Sequence, residues 1–127
     1  MPVAKRKATH ARHYQDQPQA IDADGSKHWI TRAANFVADV TEAKAGARLA
    51  RTQQADEYMA FVVSGRAIVE AGSQRQDIEP ETLVIVPPGA STITMPDGGE
   101  VVRVFSNKAA DLTAAAANAA IYADAIA

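Results

Sequence analysis

The middle of the chain reads as short apolar runs separated by turn-forming residues. KHWITR and ANFVADVTEA come first, and in the second Phe36, Ala38 and Val40 alternate with Asn35, Val37 and Asp39. ARLART, EYMAFVV, AIVEAG, QRQDIE, TLVIVP, STITMP and EVVRVFS follow. Turn signals stand between them at Gly46, Ser64-Gly65, Gly72-Ser73, Pro87-Pro88-Gly89 and Pro96-Asp97-Gly98-Gly99. About nine strands at this spacing, with no helical period over roughly seventy residues, predict an antiparallel sandwich or barrel rather than parallel βαβ units.

The two ends differ from the middle. Residues 1–26 are polar and of mixed charge, which predicts an arm that is either disordered or laid along a neighbour. Residues 27–107 form the β domain. Residues 108–127 are alanine-rich and predict a helix capped by Asp111, with a thin apolar stripe of Leu112, Ala116, Ala119 and Ala123 that needs a surface to pack on. The chain stops on ADAIA with no glycine or basic residue to close that helix, which leads us to expect a continuation of the chain or a partner there.

Composition narrows the chemistry. The 127 residues suit one domain, and at 47% hydrophobic they can build a core. A net charge of −2 supplies no field for nucleic acid or anionic membrane. There is no cysteine, so disulfides, thiolate metal sites and cysteine nucleophiles are excluded together. No run reaches the ~18 apolar residues of a membrane span, and Lys5-Arg6-Lys7 is not followed by an apolar segment. A soluble cytoplasmic protein is the expectation. The basic triplet reads as a solvated tail rather than a nucleic-acid contact.

The stretch Glu81-Thr82-Leu83-Val84-Ile85-Val86-Pro87-Pro88-Gly89-Ala90-Ser91-Thr92 resembles the second motif of the cupin superfamily, roughly G-D-x-x-x-x-P-x-G-x-x-H. Residues 46–65, GARLARTQQADEYMAFVVSG, resemble the first motif, with Gly46 and Gly65 as its end glycines. GRAIVEAGSQRQDIEPET between them resembles the intermotif hairpin. The resemblance covers about residues 34–106 and implies a cupin-type antiparallel β-barrel, a double-stranded β-helix or jelly roll.

The departures from that pattern concern the metal. A cupin metal site generally takes imidazoles from both motifs and a carboxylate from the first, because each offers a localised lone pair to Mn, Fe, Ni, Cu or Zn. Thr92 stands at the second-motif histidine position. The first motif fits in two registers. In one, Glu57 is the carboxylate and Arg51 and Gln53 replace the histidines; in the other, Tyr58 takes the carboxylate position and Thr52 and Gln54 replace them. Either set makes a poor metal site, so no metal or other cofactor is expected. Of the three histidines, His10 and His13 fall in the arm, and His28, beside Trp29, reads as an edge or interface residue or one near the barrel mouth.

A barrel without metal keeps a lined cavity, which defaults to a small-molecule site. The expected lining is Arg51, Gln53, Glu57, Tyr58 and Thr92, with Arg32, His28 and Trp29 near the mouth. On this reading the chain is a metal-free ligand-binding or partner-supporting module, a homodimer, or the non-catalytic barrel beside a second, metal-binding cupin domain or subunit. The alternative is a metal-independent isomerase, epimerase or lyase in which Glu57 moves a proton and Tyr58 steadies an oxyanion. The bland reading of the same residues makes Asp56-Glu57 a turn cap, solvated or paired with Arg51 or Arg66, and Met59, Phe61 and Met95 core.

Overall fold

The computed structural model describes residues 8–122. Ten strands carry the fold: β1 (Ala20–Ile21), β2 (Lys27–Arg32), β3 (Phe36–Ala43), β4 (Ala47–Arg51), β5 (Tyr58–Ser64), β6 (Ala67–Ala71), β7 (Gln74–Ile78), β8 (Thr82–Val86), β9 (Ser91–Met95) and β10 (Gly99–Ser106). A short helix, α1 (Ala110–Ala115), and a 3-10 turn at Ala119–Tyr122 follow. The strands form two sheets, ordered β1-β2-β3-β10-β5-β8 and β4-β9-β6-β7, with every pairing antiparallel. This is the jelly-roll barrel that the strand and turn pattern predicts. Only β1, two residues inside the segment read as an arm, has no counterpart in that pattern.

Alternation decides what enters the core. Leu49, Val62, Val69, Ile93, Met95 and Val101 point between the sheets and are buried, each worth about 1.5–3 kcal/mol against exposure. The phase of two strands differs from what their apolar residues suggest. In β3 the inward set is Val37, Asp39, Thr41 and Ala43, and Phe36 is left 46% exposed. In β5 Tyr58, Ala60 and Val62 point inward, so Met59 and Phe61 lie on the outer face and are not core; Met95 is.

Both ends of the described chain meet on β2. Trp29 faces outward but is covered by Tyr14, whose ring centroid lies 5.5 Å away, and its indole N–H donates to the Asp16 carbonyl at 2.9 Å. Described arm residues thus lie on their own chain. From the other end, Asn118 Oδ1 accepts from the Arg32 amide at 3.0 Å and its Nδ2 donates to the Arg32 carbonyl at 2.9 Å. Leu112 and Ala116 anchor the stripe, whereas Ala123 lies outside the described residues. Asp111 is not the cap: Ala109 holds that position without a side-chain bond, and Asp111 turns to Arg51.

The corner between β5 and β10 is closed by glycines. Gly65 has φ +74°, and a Cβ there would run into the Gly98 carbonyl oxygen. Gly72 also has a positive φ, +59°, but open space around it. Gly65→Ala is therefore expected to cost about 2–4 kcal/mol, strain and clash together, and Gly72→Ala only about 1 kcal/mol. Denaturant melts of the two variants check this, and equal losses would contradict the close approach.

Candidate functional site

Two strands of the six-stranded sheet place charge in their inward phase. Asp39 on β3 stands directly opposite Arg103 on β10, and Ala60, the β5 neighbour of Arg103, is small enough to leave room for the guanidinium. Asp39 is 1% and Arg103 4% exposed. Arg103 Nη2 donates to Asp39 Oδ2 at 3.0 Å, and the Thr41 hydroxyl donates to Asp39 Oδ1 at 2.8 Å. His28, on the adjacent β2, places Nδ1 3.0 Å from both Asp39 oxygens and Nε2 2.8 Å from Asp22 Oδ2.

This geometry fixes the protonation of His28. Ionised carboxylates only accept hydrogen bonds, so a ring nitrogen facing one must carry a proton. Both nitrogens face carboxylates, and the ring is an imidazolium. Burial alone pushes the His28 pKa down, but the hydrogen bonds and charges of Asp39 and Asp22 outweigh it, and the net shift is upward from 6.5. For Asp39, burial pushes upward, yet the His28 hydrogen bond and the Arg103 charge hold the carboxyl below its ordinary 3.8. Within the cluster, two carboxylates balance two cations.

One donor is left over. Arg103 Nε is buried and has no hydrogen-bond partner among the described residues. Arg103, Asp39 and His28 line a cleft of about 610 Å³ at the seam between the sheets, where β2 faces β4. Asp22, Asp24, Arg48, Leu49, Arg51 and Leu112 also line it. Asp22 belongs to the short β1–β2 turn, and its side chain is 46% exposed although its carboxylate meets His28.

The residues expected to line the barrel are dispersed. Arg51 is half-buried at the end of β4 and lines the cleft, but its Nε donates to Gln54 at 2.9 Å and its two Nη groups hold Asp111 at 2.8 and 3.1 Å. Tyr58 is inside, stacked on Phe105 at 4.5 Å, with its hydroxyl 3.2 Å from Ser91 Oγ rather than at Glu57. Phe105 also receives the Arg51 guanidinium at 4.8 Å, so Arg51 and Tyr58 share one ring. Gln53 is exposed on the β4–β5 loop. Glu57 is exposed, beside Phe36 and Ile85 on the outer surface. Thr92 faces outward between Ala50 and Glu70. Strand alternation is the reason: with Tyr58 and Ser91 turned inward, their neighbours Glu57 and Thr92 must turn out. Acid–base work by Glu57 with Tyr58 inside the barrel therefore has no geometric support. Asp56 bonds the Ser106 hydroxyl at 2.8 Å, and Arg66 pairs with Asp97.

The same placement decides the fit of a metal. The motif positions present a paired guanidinium, an exposed amide, an outward carboxylate and an outward hydroxyl, while Tyr58 and Phe105 occupy the interior. Among the described residues, no three histidine, aspartate or glutamate side chains gather to hold an ion. This donor set does not fit a transition metal. The cluster that does gather, His28, Asp39, Thr41 and Arg103 with Asp22, was not legible from the motifs. Its signal was a charge in the apolar phase of two strands, FVADVT and VVRVF, with opposite signs.

Removing one partner should expose the cost of burying the others. Asp39→Asn is expected to destabilise the fold by about 3–5 kcal/mol, and the double change Asp39→Val with Arg103→Met by clearly less, since a removed pair leaves no lone charge. Denaturant titration decides; equal losses would contradict a tightly coupled pair. The pH dependence has two limbs. His28, with its pKa raised in the fold, contributes fully below 6.5, and that contribution is lost as pH rises through the folded pKa. Asp39 contributes fully above 3.8 and is lost as pH falls through its own folded pKa. NMR titration should place the His28 midpoint above 6.5, and a midpoint at or below it would contradict the imidazolium assignment.

No family model matches the sequence, and no curated protein matches it. Solved structures do. An RmlC-like cupin from Shewanella frigidimarina superposes with a TM-score of 0.69 at 18% identity, over 83% of this chain and 96% of that one. KdgF from Halomonas sp. gives 0.65 at 15% identity, over 79% and 94%. A salicylate 1,2-dioxygenase from Pseudaminobacter salicylatoxidans gives 0.62 at 13% identity, over 69% of this chain but only 28% of that one. Similarity at these identities is similarity of fold. Strand order, turn pattern and neighbours agree: the chain has the cupin fold.

Proposed function

We propose that the chain is a metal-free cupin barrel whose seam cleft binds a small carboxylate-bearing molecule. Arg103 carries this reading. A buried N–H without an acceptor costs about 1–3 kcal/mol, and an anionic ligand in the cleft would supply the acceptor that Nε lacks. Asp22 supports the same class of ligand. Its exposed side chain brings a carboxylate to His28 Nε2, the place a ligand carboxylate would take once Asp22 swings out. Two cations then serve one anion, with Asp39 holding both in position.

One observation favours a second, catalytic reading. A buried carboxylate on Nδ1 of a histidine whose Nε2 faces a cleft is the arrangement of a general acid–base pair. With Asp22 displaced and the ring neutral, Nε2 could take a proton from a carbon beside a carbonyl. The electron pair would move to the carbonyl oxygen near Arg103, and the proton would return to isomerise the substrate. This moves the isomerase alternative from Glu57 and Tyr58 to His28. A supporting role beside a metal-bearing cupin is compatible with the same barrel, which matches only 28% of the dioxygenase chain.

Calorimetric titration with acetate, lactate, pyruvate and succinate tests the binding reading. At least one should saturate with a Kd below about 1 mM. Arg103→Gln should weaken it ten- to a hundredfold, by about 1.5–3 kcal/mol, and Asp22→Asn should strengthen it severalfold by removing the competitor. Saturation unaffected by either change, or by no ligand of the set, would contradict the proposal. Transfer of solvent deuterium into bound pyruvate, lost in His28→Gln while binding persists, would favour the catalytic reading.

A further inference from the structure

The seam cleft is lined by more charge than the Asp39 cluster needs. Asp22 and Asp24, both exposed on the β1–β2 turn, line it together with Arg48 of β4. Asp24 accepts from the Ser26 amide at 2.8 Å, and among the described residues neither Asp24 nor Arg48 forms an ion pair. Arg51 is neutralised by Asp111. The remaining charges, His28, Arg103 and Arg48 against Asp22, Asp24 and Asp39, cancel. Within that balance the buried Arg103 Nε still lacks an acceptor.

A bare carboxylate upsets this balance. Once it displaces Asp22 from His28 Nε2, the Asp22 carboxylate has lost its cation and stands near a new anion. Asp22 does not go far. Its amide donates to the Ser26 carbonyl at 2.8 Å, and the Gly25 amide donates to the Asp22 carbonyl at 2.9 Å. The turn is closed on itself, so the side chain leaves His28 by rotation while the backbone stays at the cleft. An ammonium carried beside the ligand carboxylate removes the conflict. The carboxylate takes the place of Asp22 at His28 and supplies Arg103 Nε, and the ammonium takes the place of His28 at Asp22. An ammonium has three N–H donors, enough to serve Asp22 and Asp24 together. Partners are exchanged, and no charge is left alone. A zwitterion also adds no net charge to a cleft whose own charges cancel.

We infer that the ligand is a free amino acid bound as its zwitterion, with Asp22 and Asp24 selecting the ammonium. The inference rests on the carboxylate reading above and adds the other half of the ligand. Asp22 then has two roles, standing in for the ligand carboxylate before binding and pairing with the ligand ammonium after it. Calorimetric titration of the full chain with alanine and lactate, which differ by an ammonium against a hydroxyl, reads that half alone. Alanine should bind about fivefold tighter or more. Asp22→Asn should tighten lactate severalfold, by removing the competitor, yet leave alanine no tighter, because the ammonium loses its partner. Asp24→Asn should weaken alanine about threefold and leave lactate unchanged, and the double variant should bind both alike. Both positions are exposed, and asparagine keeps an acceptor for the Ser26 amide, so the circular dichroism of the fold should be retained. Lactate that matches alanine in the native chain, or a preference for alanine that survives the double change, overturns the inference and leaves the carboxylate reading standing. Binding of neither compound overturns both.

Discussion

The Asp39 carboxylate is the constraint on which the rest of this barrel depends. It accepts from Thr41 of its own strand, Arg103 of one neighbour and His28 of the other, and so ties three adjacent strands across the inside of a sheet. A lone buried carboxylate would be expelled or neutralised; three donors keep it ionised. Its charge in turn permits a guanidinium and an imidazolium to stay buried. Ala60 yields the volume, and the seam between β2 and β4 stays open as a cleft because these polar groups, unlike the apolar core opposite, do not interdigitate across it.

The interior at the motif strands went the other way. Tyr58 and Phe105 stack where the two motifs converge, the Tyr58 hydroxyl is satisfied by Ser91, and Arg51 lies on the Phe105 ring. A space filled by its own side chains can serve as core but not as a site. The corner Pro87-Pro88-Gly89 still aims β9 into the barrel, and what it delivers inward is Ser91. The polar chemistry has moved along the sheet to β2 and β3, outside both motifs.

The fold was readable in the sequence because nine strands announce themselves twice, by alternation and by turn residues on either side. The phase of those strands was less readable. Apolar residues ordinarily mark the inward face, but Phe36, Met59 and Phe61 are apolar and outward, and Asp39 and Arg103 are charged and inward. The second inversion has one physical source, a buried pair of opposite charges that cancels. Glu57 and Thr92 each stand one position from an inward residue, Tyr58 and Ser91, and one position along a strand reverses the face. His28, Asp39 and Arg103 lie far apart in sequence and are joined by the register of β2, β3 and β10, while the β1–β2 turn brings in Asp22.

The account stands on Arg103 Nε as the donor that a ligand completes. The most direct measurement is the arginine side-chain ¹H–¹⁵N spectrum of the intact protein, followed while a small carboxylate is added. A single slow-exchanging Nε–H resonance, assigned to Arg103 by its absence in Arg103→Gln, should move saturably as ligand enters. If that resonance stays fixed while a carboxylate binds elsewhere, or if no carboxylate moves it, the cluster is a structural rivet and the cleft is not its site.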